Sequence, residues 1–162
     1  MITITEEITI DADPQKVWRF LSDIEMSLSL NSFHKQIIIP NKFSLTNPNS
    51  KFNIIHNFGL GNINMAVEII DYNPLDSIEL YKKNKDKSYS GFEHSSKYEL
   101  IKKNDTTILK YSTTGSFNFK IQNIPFKPIL TNVMNSELIN IKNIIESSDN
   151  IHEQIKTKIT TT

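Results

Sequence analysis

Ile2, Ile4, Ile8 and Ile10 fall on one parity of the chain, and Thr3, Thr5 and Thr9 fall on the other. That period of two, carried by β-branched residues, predicts a strand with one buried face. Asp11-Ala12-Asp13-Pro14 ends the strand and opens a helix. The Asp13 carboxylate can accept from the free N–H groups of the first turn, and Pro14 at the first helical position lacks only a donor that has no use there. Val17, Phe20, Leu21 and Ile24 follow at i, i+3, i+4 and i+7, a helical apolar stripe. Ser22-Asp23 then offers a cap for a second short helix through Glu25, Met26, Leu28 and Leu30. From here the period returns to two. Strands are expected over 33–39, from Phe52 through Phe58, over 63–72, over 78–81, over 94–102 and over 106–119. Turn signals separate them: Pro40, Gly59-Leu60-Gly61-Asn62, Asn73-Pro74-Leu75-Asp76, the polar run 82–88 and Asn104-Asp105. Pro125 and Pro128 mark a last helix start, after which Ile129/Leu130, Val133/Met134, Leu138, Ile141 and Ile144/Ile145 form a broad apolar stripe at helical spacing.

Hairpin turns at this regular spacing indicate an antiparallel meander and not parallel crossover units. The fold class is therefore α+β: a seven-stranded curved antiparallel sheet, two short helices after its first strand, and one long C-terminal helix. The sheet's apolar parity needs a cover, and that helix is the only long one. A helix is about 10 Å across with its side chains, too narrow to fill the concave face of so many strands. Space left between sheet and helix is the expected binding cavity, of a few hundred Å³ by the ordinary scale of ligand sites. A single domain is expected over residues 1–146, with 147–162 as an extension or tail: Ile151 and Ile155 could extend the helix, while Ser147-Ser148-Asp149-Asn150 weakens the case.

Composition narrows the function classes. Eighteen Lys and Arg balance eighteen Asp and Glu, so no overall field draws the chain to nucleic acid or anionic lipid. There is no cysteine, which removes disulfides, thiolate nucleophiles and cysteine metal sites. The start of the chain reads as strand and not as signal peptide, and no run of about 18 apolar residues occurs, so a cytoplasmic protein without stable membrane insertion is expected. No cofactor fingerprint is found: Gly59-Leu60-Gly61 precedes a strand, not a helix. The histidines, His34, His56, His94 and His152, are far apart in sequence, so no metal site is expected.

The candidate ligand-binding residues come from parity. His56 shares a face with Phe52, Ile54 and Phe58, which points its ring to the interior as a polar anchor. Tyr98 lies on the parity of Leu100, and Tyr111 and Thr113 on that of Leu109. Their hydroxyls need partners, since a buried hydroxyl without one costs on the order of 1–3 kcal/mol. Met134 of the long helix and Phe33 complete the expected lining, with Met26, Leu28, Leu30 and Phe33 as an apolar portal beside the second helix. Lys82 to Lys87 is read as a solvated loop, and Glu68 as an outward-facing strand residue.

Two stretches carry a resemblance to a known superfamily. Ile8 to Asp23, with its strand, proline-containing cap and Val-Trp then Leu-Ser-Asp helix, resembles the opening of Bet v 1-like proteins. This superfamily includes START lipid-transfer domains, plant pathogenesis-related proteins and bacterial aromatic or polyketide cyclases, the wider group called SRPBCC. Val67-Glu68-Ile69-Ile70-Asp71-Tyr72-Asn73-Pro74 is similar to its mid-sheet strand and turn. The chain departs from it in having Asn31-Ser32-Phe33 where members often carry a tryptophan, and no glycine in 40–50 where plant members have a glycine-rich loop. The resemblance implies a helix-grip fold and a function held in the cavity. That function is binding or transport of a hydrophobic small molecule: a lipid, a quinone or an aromatic polyketide. The alternatives are a polyketide cyclase or dehydratase using a His/Tyr pair in the same cavity, and a protein-interaction domain with a filled cavity.

Overall fold

In the computed structural model, seven strands form one antiparallel sheet in the order β1-β7-β6-β5-β4-β3-β2. The structure describes residues 1–47, 50–57, 61–85, 91–117 and 123–160, with side chains in the last helix described from 125 to 147. The elements in chain order are β1 (Ile2–Ile10), α1 (Pro14–Ser22), α2 (Ile24–Ser29), β2 (His34–Ile38), β3 (Lys51–Asn57), β4 (Asn62–Asn73), β5 (Ser77–Asn84), β6 (Glu93–Lys103), β7 (Thr106–Ser116) and α3 (Asn123–Thr160). This is the expected α+β class and element order. β2 to β7 run as a meander, and β1 closes onto β7 in continuous register from Ile2 opposite Gly115 to Ile10 opposite Thr107.

The caps form as their chemistry requires. Asp13 accepts from the Gln15 N–H at 2.8 Å at the start of α1, and Asp23 accepts from the Met26 N–H at 3.1 Å at the start of α2. Trp18 is a core anchor on α1, its ring 5.4 Å from that of Tyr72. Glu68 faces outward and pairs with Lys51 at 2.6 Å. The inner parity of the sheet and the α3 stripe share one core, from Ile10, Phe52, Ile54, Val67, Leu80 and Leu109 to Leu130, Met134, Leu138, Ile141 and Ile145.

Three expectations are corrected. The polar run beginning at residue 82 does not leave the sheet: β5 continues to Asn84, because its inward parity of Ile78 and Leu80 carries on into Lys82, which is buried. Helix α3 begins at Asn123, ahead of both prolines that mark its expected start, which leaves Pro128 inside the helix, and it runs to Thr160. Leu28 belongs to the core and Met26 is exposed, so these two do not form an apolar portal. An open depression of about 220 Å³ does lie between α2 and β2, but it is lined by Glu25, Ser29, His34, Lys35, Gln36 and Ile37. Among the described residues no helix is long and apolar enough to cross a membrane.

Candidate functional site

The concave face divides into an apolar part and a polar part, and strand register makes the division. Ile78, Leu80 and Lys82 alternate inward on β5; His94, Ser96, Tyr98 and Leu100 do so on β6; Leu109, Tyr111 and Thr113 do so on β7. Pairing sets Lys82 opposite His94, Ser96 opposite Thr113, and Tyr98 opposite Tyr111. Polar side chains at one level of three adjacent strands thus meet beneath α3. Each of them is buried.

Helix α3 supplies the group that ties this cluster together. Glu137 lies seven residues after Leu130 and three after Met134, so it shares their inward face. It is 1% exposed. One carboxylate oxygen accepts from the Tyr98 hydroxyl at 2.6 Å and the other from the Asn31 side-chain amide at 2.6 Å. Burial raises its pKa, and the bonds from Tyr98 and Asn31 and the charge of Lys82 oppose that rise. The Tyr98 and Tyr111 rings stack with centroids 4.4 Å apart and planes 16° from parallel. Burial and then the Glu137 charge push both phenols above their ordinary value, so both remain neutral donors.

Lys82 stands at the other side of the cluster, 1% exposed, with its ammonium donating to the Ser96 hydroxyl at 3.4 Å. Burial brings its pKa down to about 8, against the pull of Glu137. Beyond it three histidines converge across strands. The His34 and His56 rings are 4.6 Å apart, and the His56 and His94 rings 6.0 Å apart. His34 Nδ1 lies 2.7 Å from the Leu28 carbonyl and His94 Nδ1 lies 2.7 Å from the Phe92 carbonyl. A carbonyl only accepts, so both rings donate from Nδ1. Burial lowers the pKa of all three, with Lys82 adding to it, and brings His94 to about 3. They are neutral imidazoles at physiological pH. Histidines far apart in sequence are thus assembled across strands, and among the described residues no group has the arrangement to hold a metal ion.

Of the residues singled out from parity, Tyr98, Tyr111 and Thr113 come together, and His56 lies in the adjoining histidine group, all of them buried. Met134 is wholly buried on α3, one turn before Glu137. Phe33 stands apart from the polar cluster, stacked on Phe126 at 5.9 Å beside Phe92 and Phe117. Phe58 lies outside the described residues. Parity and helical spacing carried a signal for the groups that went unread. Lys82 continues Ile78 and Leu80, His94 and Ser96 precede Tyr98, and Glu137 interrupts an apolar stripe. A lysine or glutamate at such a position reads as a solvated residue until its neighbours are known.

No family model and no curated protein matches the chain. Solved structures do. A conserved protein from Geobacillus kaustophilus superposes with a TM-score of 0.72 at 14% identity, over 91% of this chain and 97% of that one. A protein from Thermus thermophilus gives 0.68 at 10% identity, over 91% and 99%. The di-domain ARO/CYC StfQ from the steffimycin biosynthetic pathway gives 0.70 at 10% identity, over 92% of this chain and 52% of that one. Identities this low establish a shared fold alone. Together with the curved sheet and long C-terminal helix, they fit a Bet v 1-like fold.

Proposed function

We propose that the chain binds a mostly apolar small molecule between the inner face of the sheet and α3, in the manner of the START-type and SRPBCC proteins. The observation that carries this reading is the buried polar cluster of Lys82, Ser96, Tyr98, Tyr111, Thr113 and Glu137, between the histidine group and the apolar part of the core. Polar groups cost free energy to bury and stabilise less than hydrocarbon of the same shape, so stability alone gives no reason to gather six of them. Ligand sites have this composition: apolar walls with a few convergent polar groups. Met134 would face the apolar body of the ligand, and Tyr98, Tyr111, Thr113 and His56 its oxygen atoms.

A copurifying small molecule seen by native mass spectrometry, or saturable micromolar displacement of Nile red by an alkanol or naphthyl alcohol, is the expected result. Absence of saturable binding by every such probe would sink the reading and favour the filled-core interaction domain.

One observation favours a second reading, a cyclase-type enzyme. Glu137 and Tyr98 form a 2.6 Å carboxylate–phenol pair in a buried site, an arrangement suited to moving a proton, and StfQ is described as ARO/CYC. Glu137→Gln should then abolish turnover of a polyketide-like substrate while leaving its affinity within a few-fold. Turnover retained in that variant removes Glu137 from catalysis.

A further inference from the structure

Lys82 is buried without the partners that a buried ammonium requires. It has three N–H donors. Among the described residues Nζ makes one hydrogen bond, to Ser96 Oγ at 3.4 Å, the long end of the range, and enters none of the ion pairs. Glu137 acts on it only through space, and both Glu137 oxygens are held at 2.6 Å by Tyr98 and Asn31. Opposite Ser96 in register, the Thr113 hydroxyl is also buried, with the Tyr111 hydroxyl as its neighbour. Two ammonium hydrogens and the Thr113 hydroxyl thus flank Ser96 at one level of the sheet. Every group in that spot can donate, and among the described residues the neighbouring anion, Glu137, already has both oxygens bonded elsewhere.

An isolated buried cation is a poor element of a core, since replacing it with hydrocarbon is often neutral or stabilising. The arrangement suits an occupant that brings its own negative oxygens. We infer that the small molecule bound on the inner face is an acid, its carboxylate seated between the Lys82 ammonium and the hydroxyls of Ser96 and Thr113. This rests on the binding function proposed above and specifies its ligand class. The charges constrain the event. Lys82 and Glu137 sum to zero, so a carboxylate adds one negative charge to a buried site. Glu137, its pKa already raised by burial, can take up a compensating proton. The other titratable groups facing Lys82, namely His34 on β2, His56 on β3, His94 and Tyr98 on β6 and Tyr111 on β7, are neutral beforehand. Binding of the acid is therefore coupled to uptake of a proton, and it weakens once Lys82 deprotonates.

Two probe sets separate charge from shape: dodecanoic acid, methyl dodecanoate and dodecanol, and 1-naphthaleneacetic acid with its methyl ester and the matching alcohol. Affinities are measured at pH 7 by displacement of the uncharged dye Nile red. The expected result is a preference of about tenfold or more for the acid in at least one set, equivalent to ~1.4 kcal/mol. Lys82→Met should reduce that preference to within about twofold while keeping alcohol affinity. An ester or alcohol that binds as tightly as its acid overturns the inference while leaving the binding function standing, as does an acid preference that survives Lys82→Met. Failure of all six probes removes the binding function itself. If Lys82→Met does not fold, the wild-type protein decides: acid affinity should fall by at least about tenfold between pH 7 and 9.5 with alcohol affinity flat, and a flat acid profile overturns the inference.

Discussion

Gly115 shows how one missing side chain positions the polar cluster. A Cβ built there would lie 2.3 Å from the Glu93 carbonyl oxygen and 2.4 Å from His94 Cβ, so β6 and β7 can approach at this level only if the residue is glycine. Its role is close approach, not an unusual backbone angle. Gly115→Ala should destabilise the domain by about 1–3 kcal/mol, the usual cost of overpacking, and displace His94 from the Phe92 carbonyl. Urea denaturation measures the first effect and the histidine Nδ1–H resonance the second. A variant within about 0.5 kcal/mol of wild type, the range of a neutral surface change, would mean that the β6–β7 register is wrong. The residues of this site carry two kinds of signal. Tyr98, Tyr111, Thr113 and His56 were legible because alternation with large apolar neighbours fixes their face. Lys82 and Glu137 were not, since a long charged side chain at an inward position is ordinarily explained by a solvated edge.

At the scale of the element, α3 is the part on which the site depends. It is fastened at one end by Phe126 against Phe92 and Phe117, in the middle by Glu137, and further on by Lys16 Nζ donating to the Ile145 carbonyl at 2.6 Å and Lys142 Nζ donating to the Thr9 carbonyl at 2.7 Å. Leu138, one residue after Glu137, is 1% exposed. Leu138→Ala should cost about 2–5 kcal/mol, and Leu138→Asp should unfold the domain because its carboxylate has no partner in the core. Thermal denaturation followed by circular dichroism tests both. A Leu138→Asp variant with the wild-type melting temperature would refute the packing of α3 on the sheet. The amphipathic stripe was enough to place this helix over the sheet. Its continuation past residue 146 was left open by local signals, because Ile151 and Ile155 extend the apolar spacing while the serines and Asp149-Asn150 weaken it.

The whole molecule carries three histidines whose pKa values burial lowers and which destabilise it in acid, while the raised Glu137 carboxyl acts in the opposite sense. His34, His56 and His94 bind protons less readily when folded than the unfolded value of 6.5. At these sites the unfolded state therefore holds more protons below pH 6.5, and the histidine contribution to stability is complete above that pH and falls as pH drops toward the folded values, about 3 for His94. Each histidine contributes up to ~1.4 kcal/mol per pH unit within its window. Lys82 acts higher: folded about 8 against 10.5 unfolded, it adds stability as pH rises from 8, until ionisation of the raised Tyr98 and Tyr111 in the unfolded state opposes it near pH 10. Denaturation midpoints between pH 7 and 5 should decline, and His94→Gln should make that decline shallower by about one proton. An equally steep acid limb in His94→Gln would show that His94 does not carry this linkage.

What the sequence determined by itself is the set of elements and their faces. Period two in β1 through β7, period 3.6 in α1 and α3, and the Asp13 and Asp23 caps are local properties, set by neighbours a few residues away. The fold follows from them, because one long amphipathic helix and an apolar sheet parity have only each other to cover. What only the tertiary structure decided is which polar residues meet. Lys82 and Ser96 are brought together by the β5–β6 pairing, Ser96 and Thr113 by the β6–β7 pairing, and Asn31 and Glu137 across 106 positions by the seating of α3 on the sheet. Register between distant strands and the rotation of a helix about its axis are fixed by the packing of the whole core. The electrostatic environment of a buried ammonium is a sum over groups from several elements, so no local window of the chain contains it.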